Sequence, residues 1–153
     1  MRKKFLQHPL NLSNQKYYSA FVYQRGDLAQ HFMASAALTA SVNGQLSTAM
    51  GEEKELRDAA KGSGFSFIDL AADKAGTRFG EAATVSSESA RRLQKAMSEI
   101  KDYSAFIPDP RDLPEHMNEA EFKQRFGSTN SPQYQHVLQM IDERINQLVI
   151  YQE

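Results

Sequence analysis

Residues 51–80 hold six carboxylates: Glu52, Glu53, Glu55, Asp58, Asp69 and Asp73. Carboxylates held together raise one another's proton affinity or share a cation, so they mark where chemistry is to be sought. Two chemistries fit these residue types. Glycoside hydrolysis needs one carboxyl kept protonated and a second, ionised one nearby. Glu55 is then the general acid, and Asp69 or Asp73 holds the attacking water or stabilises positive charge. Ser63, Ser66, Thr77 and His31 are the groups that would bind the sugar, and no cofactor is needed. The chain has no tryptophan, so sugar stacking would fall to Tyr or Phe. The alternative is a divalent metal site built from His31, Glu55, Asp58 and Asp69, with Asp73 also in reach. One imidazole among oxygen donors suits Mg, Mn, Ca or Zn better than a thiophilic metal. Asp27 lies four residues before His31 and shares its helix face.

Each of these residues also has a plainer reading. Asp69 caps its own helix, Asp58 pairs with Lys54 or Arg57, and the remaining acids are a wet outer face. His31 reads first as a buried imidazole bonded to a carboxylate. His116, in a proline-rich segment, and His136, opposite an apolar stripe, read as surface residues.

Two helices and a turn must position the carboxylates. Glu52, Glu55 and Asp58 are spaced i, i+3, i+6 on one helix, residues 46–60, and share a side. Gly51 sits inside that helix at a cost of roughly 1 kcal/mol relative to alanine, which points to close packing or a kink. The turn Gly62-Ser63-Gly64 follows. Ser66, with Asp69 three residues on, resembles a capping box and opens the next helix, residues 67–79. There Asp69, Asp73, Gly76 and Gly80 form one stripe, and the glycines would let another backbone or an extended ligand approach. The remaining pattern is helical almost throughout. Ser13 caps a first helix carrying Tyr17, Phe21 and Val22. Asp27 caps a second, residues 28–42, with Leu28, Phe32, Ala36 and Ala40 on one face and Asn43-Gly44 ending it. Another spans 87–103, with Leu93, Met97 and Ile100 inward. Residues 106–117 carry Pro108, Pro110 and Pro114 and read as an extended strap on the surface. Asn118 and Glu121 cap a short helix ended by Gly127. Ser131-Pro132 opens the last, with Tyr134, Leu138, Ile141, Ile145 and Leu148 in a stripe. The expected fold is a single mainly α domain over residues 1–153 with about six helices. It has an acidic helix-turn-helix core at 27–80, C-terminal helices at 118–153, and at most a short β-hairpin near 62–67.

The composition narrows the partners. The 153 residues carry 18 basic and 19 acidic side chains, a net charge of -1. That balance does not call for nucleic acid or an anionic membrane. The absence of cysteine excludes disulfides and thiolate metal sites. No apolar run is long enough to span a membrane. Residues 1–6 are basic but are followed by a mostly polar stretch, so no export signal is expected there. The proline strap and the last helix, ending LVIYQE, form a third possible function, as docking surfaces of a non-catalytic interaction domain.

Several of the polar residues carry a family resemblance. Gln30-His31-Phe32, Ser35-Ala36, Lys54-Glu55-Leu56, Asp58 and GSGFSFIDLAADKAG are similar to the YfiM-like predicted periplasmic lipoproteins of bacteria. VanZ-like membrane proteins are more loosely similar. The match covers residues 27–80. It implies a bacterial, envelope-associated protein, implies no particular activity, and singles out His31, Glu55, Asp58, Asp69 and Asp73. A glutamate at a helix end before a glycine-rich turn also resembles the layout of lysozyme-like folds, which would make peptidoglycan the substrate.

Overall fold

In the computed structural model, which describes residues 20–152, six α-helices follow one another without a sheet. They are α1 Gly26–Ser41, α2 Gly44–Lys61, α3 Phe67–Thr84, α4 Ser87–Glu99, α5 Glu119–Phe126 and α6 Pro132–Asn146. The described residues thus form one mainly α domain. Its centre is α3, the helix whose residues are most extensively buried. The Ser66 side chain caps it by accepting from the Asp69 backbone N–H at 3.0 Å, the cap the sequence predicts. The helix runs on past Phe79 to Thr84. Gly80 does not end it, because the space above that glycine is filled by α1.

The contact between α1 and α3 depends on missing side chains. A Cβ on Gly76 would strike the Phe32 carbonyl oxygen, and one on Gly80 would lie 2.6 Å from the Ala36 carbonyl oxygen. The stripe of Asp69, Asp73, Gly76 and Gly80 therefore faces a neighbouring backbone. Arg25 meets Asp69, His31 meets Asp73, and Ala36 meets Gly80, so α1 and α3 run parallel. The two-residue link between α1 and α2 turns α2 antiparallel to both. Gly51 is the close-packing glycine of α2: its Cβ would lie 3.2 Å from Asp73 Oδ2.

The strap is core rather than surface. Ile107, Pro108, Pro110, Leu113 and Met117 are all buried. Proline density excludes a helix there, but apolar residues between the prolines point inward and are buried for the usual hydrophobic gain. Phe65 and Met117 exchange backbone hydrogen bonds in an isolated bridge, and Phe67 N–H donates to Pro114 O at 2.9 Å. The β element near residues 62–67 is this bridge, and its partner is the strap. Gly64, at φ +86°, has the His116 backbone within 3 Å of where a Cβ would be. Beneath the bridge, Phe65, Phe67, Phe122, Phe126 and Tyr134 pack ring to ring with centroids 4.7–6.4 Å apart. Each well-oriented ring pair adds about 0.5–1.5 kcal/mol beyond burial, so this cluster ties the turn before α3 to α5 and α6.

Several predicted helix ends fall elsewhere. The helix that Ser13 was to cap begins outside the described residues. Its later members are not helical: Val22 bridges to Arg25, and Tyr23 and Gln24 have positive φ. Arg25, not Asp27, occupies the cap position of α1, and Asp27 binds the Arg25 guanidinium instead. The buried face of α1 is Leu28, Phe32, Ser35 and Thr39; Ala40 is exposed. Asn43 caps the start of α2, its side chain accepting from Leu46 N–H at 2.8 Å. α4 stops at Glu99, and residues 103–105 form a short 3₁₀ turn.

The glycine contacts give a direct test. Gly76→Ala gains helix propensity but forces α1 away, so a net loss of about 1–3 kcal/mol or more is expected. Gly44→Ala meets only the mobile side chain of exposed Glu81 and is expected to lie within about 0.5 kcal/mol of the parent. Urea unfolding of both variants measures this; equal midpoints would contradict the packing.

Candidate functional site: a polar seam between three helices

The α1–α2–α3 junction is polar at its centre. α1 contributes His31, Ser35 and Thr39, α2 contributes Ser47, Gly51 and Glu55, and α3 contributes Asp69, Asp73 and Thr77. On each helix the spacing is i, i+4, i+8, which keeps all three residues on one side. Ser35, Thr39, Ser47, Glu55, Asp73 and Thr77 are buried. Buried polar groups are costly unless they are hydrogen-bonded, and most of these are. Ser47 and Thr77 hydroxyls lie 3.0 Å apart, and Ser47 donates to Ser35 O.

The acidic end of the seam surrounds one imidazole. His31 Nδ1 lies 3.0 Å from Asp73 Oδ1, and His31 Nε2 lies 3.6 Å from Asp69 Oδ2. Ser35 Oγ donates to the same Asp73 oxygen at 2.9 Å. Asp73 Oδ2 is buried without a hydrogen-bond partner, beside Gly51. Glu55 is 0% exposed; its Oε2 accepts the Ser66 backbone N–H at 3.0 Å and its Oε1 the Lys54 ammonium at 3.2 Å. His31, Glu55 and Asp73 each offer a donor atom, and these atoms lie within 4.8 Å of one another.

The charges of the seam are incompletely matched. Burial pushes the Glu55 carboxyl above its usual range, against the pull of Lys54 and the Ser66 N–H. Burial does the same to Asp69, against His31 and Arg25. Burial opposes charge on His31, but the hydrogen bond to Asp73 and the Asp73 and Asp69 charges prevail and raise its pKa. Arg25 links α1, α3 and the strap, with its guanidinium 3.2 Å from Asp69 and 2.6 Å from Glu115.

The other site candidates lie apart from this centre. Asp58 is paired with Lys54 at 2.6 Å and is not among the clustered donors. Ser66 is spent on the α3 cap, Thr77 is buried against Ser47, and Ser63 is exposed on the turn. Asp27 meets the centre only through Arg25. His116 and His136 are exposed. Sequence reasoning missed Ser35, Ser47 and Arg25. Ser35 lies four residues after His31 and Ser47 eight before Glu55, each on the face of its partner, whereas nothing local marks Arg25.

The shifted groups of the seam give a pH dependence to stability. A raised pKa in the folded state means the fold holds a proton that the unfolded chain releases, so stability falls as pH rises through the raised value. His31, Glu55 and Asp69 all shift in this direction. In chelator, the protein is expected to lose stability as pH rises from about 6.5, the ordinary histidine value, and His31→Gln is expected to move that loss to the acid side. Thermal melts across pH 5–8 report this; stability that is flat or rising between pH 6 and 8 would contradict it. Compared with protein-family models, curated proteins and solved structures, the chain matches none.

Proposed function

We propose that the protein binds a divalent, oxygen-preferring cation in the polar seam, with His31, Glu55 and Asp73 as ligands and Asp69 as the carboxylate beside them. One observation carries this reading: His31, Glu55 and Asp73, from three helices, offer donor atoms within 4.8 Å of one another, and Asp73 Oδ2 is buried without a partner. Two further features support it. Donors bound about 2.1 Å from one ion, at roughly 90–120° to each other, lie about 3.0–3.6 Å apart, and the proposed ligand atoms His31 Nδ1 and Asp73 Oδ1 are 3.0 Å apart. Burial raises the Glu55 and Asp69 carboxyls, a cost that a bound divalent ion would offset. Three or four protein ligands leave positions for water or substrate, the requirement for metal-assisted hydrolysis.

His31, Glu55, Asp69 and Asp73 are also four of the five positions that carry the YfiM-like resemblance. Their convergence from separate helices supports a shared site. The glycoside-hydrolase reading is favoured by one observation, the upward shift of the Glu55 carboxyl, which a general acid needs. The burial of Glu55 weighs towards the cation, because a bare ion reaches a fully buried carboxylate more readily than a sugar does.

Chelator-treated protein titrated with Mn²⁺ tests this. One equivalent is expected to bind. At a hundredfold excess over Kd the gain is about 2.7 kcal/mol, a rise of roughly 5–10 °C in Tm. Asp73→Asn and Glu55→Gln are expected to remain folded and lose the rise. No stoichiometric metal and no shift with Mg²⁺, Mn²⁺, Ca²⁺ or Zn²⁺ would overturn the proposal. Metal-free release of fragments from purified peptidoglycan, abolished by Glu55→Gln, would establish the glycosidase reading instead.

A further inference from the structure

The seam meets solvent in a cleft of about 380 Å³ between α1 and α2. His31, Ser35 and Asp73 line it, with Lys54 on the α2 side. Glu55 is fully buried and outside that lining, yet the Lys54 ammonium reaches it. Lys54 thus joins the cleft to the deepest of the proposed ligands.

A positive charge already stands at the acidic end of the seam. The Lys54 ammonium donates to Glu55 Oε1 at 3.2 Å and to Asp58 Oδ2 at 2.6 Å. Its charge also acts on His31 and Asp69. The other Glu55 oxygen accepts the Ser66 backbone N–H, which is fixed by the start of α3. Of the two donors on Glu55, the ammonium at the end of a flexible side chain is the one free to move. Its two bonds are unequal: the one to Asp58 is short, and the one to Glu55 lies at the long limit for N–H···O. Asp58, one turn further along α2, is partly exposed and outside the donor cluster. An ammonium that leaves Glu55 therefore keeps a partner. A carboxylate oxygen has room for a second contact, but a dication and an ammonium on one buried carboxylate repel each other, most strongly where water is excluded.

We infer that Lys54 is the resident counter-ion of the metal-free seam, and that an incoming divalent ion displaces its ammonium from Glu55 onto Asp58. The inference rests on the proposed cation site and adds a residue that sets its affinity without touching the ion. Lys54 compensates the buried Glu55 charge when no ion is bound and opposes the ion when one arrives.

The test is calorimetric titration with Mn²⁺, together with thermal melts in chelator, of the wild-type protein, Lys54→Met, Asp58→Asn and the double variant. Lys54→Met is expected to bind Mn²⁺ on the order of tenfold more tightly, yet to melt at a lower temperature in chelator. A general structural role would weaken both. Lys54→Gln, which keeps a donor to Glu55 without the charge, is expected to shift both measurements in the same directions. Asp58→Asn is expected to bind about two- to fivefold more weakly, the worth of an exposed ion pair, and to lose most of that effect in the Lys54→Met background. Equal effects of Asp58→Asn in both backgrounds would overturn the inference. So would Mn²⁺ binding by both Lys54 variants no tighter than wild type, or chelator melts of both no lower. In each of these cases, uptake of one Mn²⁺ by the wild-type protein leaves the cation site standing. Mn²⁺ bound by neither the wild-type protein nor any variant would remove the site and the inference together.

Discussion

The close approach of α1 to α3 at Gly76 and Gly80 sets the geometry of the rest of the molecule. Two helices whose backbones nearly touch have little freedom to slide, because the Phe32 and Ala36 carbonyls of α1 sit where side chains at positions 76 and 80 of α3 would be. That fixed register places His31 and Ser35 opposite Asp73. The short link to α2 then brings Gly51 over the same carboxylate. The glycines on α3 and the one on α2 thus serve one end: they let three helices close around a polar line without leaving a void.

A buried line of hydroxyls and carboxylates would be unstable alone. Its acidic end is held by cations from outside the three helices' contact faces. Arg25, from the turn before α1, joins Asp69 to Glu115 of the strap. Lys54 covers Glu55 from the solvent side. The strap in turn is fixed by the Phe65–Met117 bridge and by Phe106, which packs on Phe32 at 5.3 Å. A segment dense in proline therefore supports the seam from behind, through backbone hydrogen bonds and buried apolar side chains rather than through chemistry of its own.

The parts legible in sequence were those with strong local signals. Ser66 and Asn118 lie before helical runs with acids three residues on, and both cap as their sequence implies. The Asp69–Asp73–Gly76–Gly80 stripe follows from period alone, and it does face a neighbour. The strap was misread because proline content reports backbone conformation and not burial; the alternating Ile107, Leu113 and Met117 held the missing information. α1 was misread for a related reason. Ranking faces by apolar residues selects Ala36 and Ala40, whereas the buried face carries Ser35 and Thr39. In a seam where small polar residues make the contact, hydrophobic period points to the wrong side.

That inversion is itself informative. Most of the remaining core follows the usual rule, with Leu70, Phe67 and Ile141 inside, although Val85 and Val149 face water. On α1 and α2 the interior is mixed: Leu28, Phe32 and Ala59 are buried beside Ser35, Thr39, Ser47 and Glu55, while Leu46 and Met50 face water. Exposed apolar side chains gain nothing from solvent, and a desolvated carboxylate is a standing cost unless something positive meets it. Folded proteins break local rules mainly where function requires it. The buried carboxylates of the seam are such a departure, and they carry the proposed cation site.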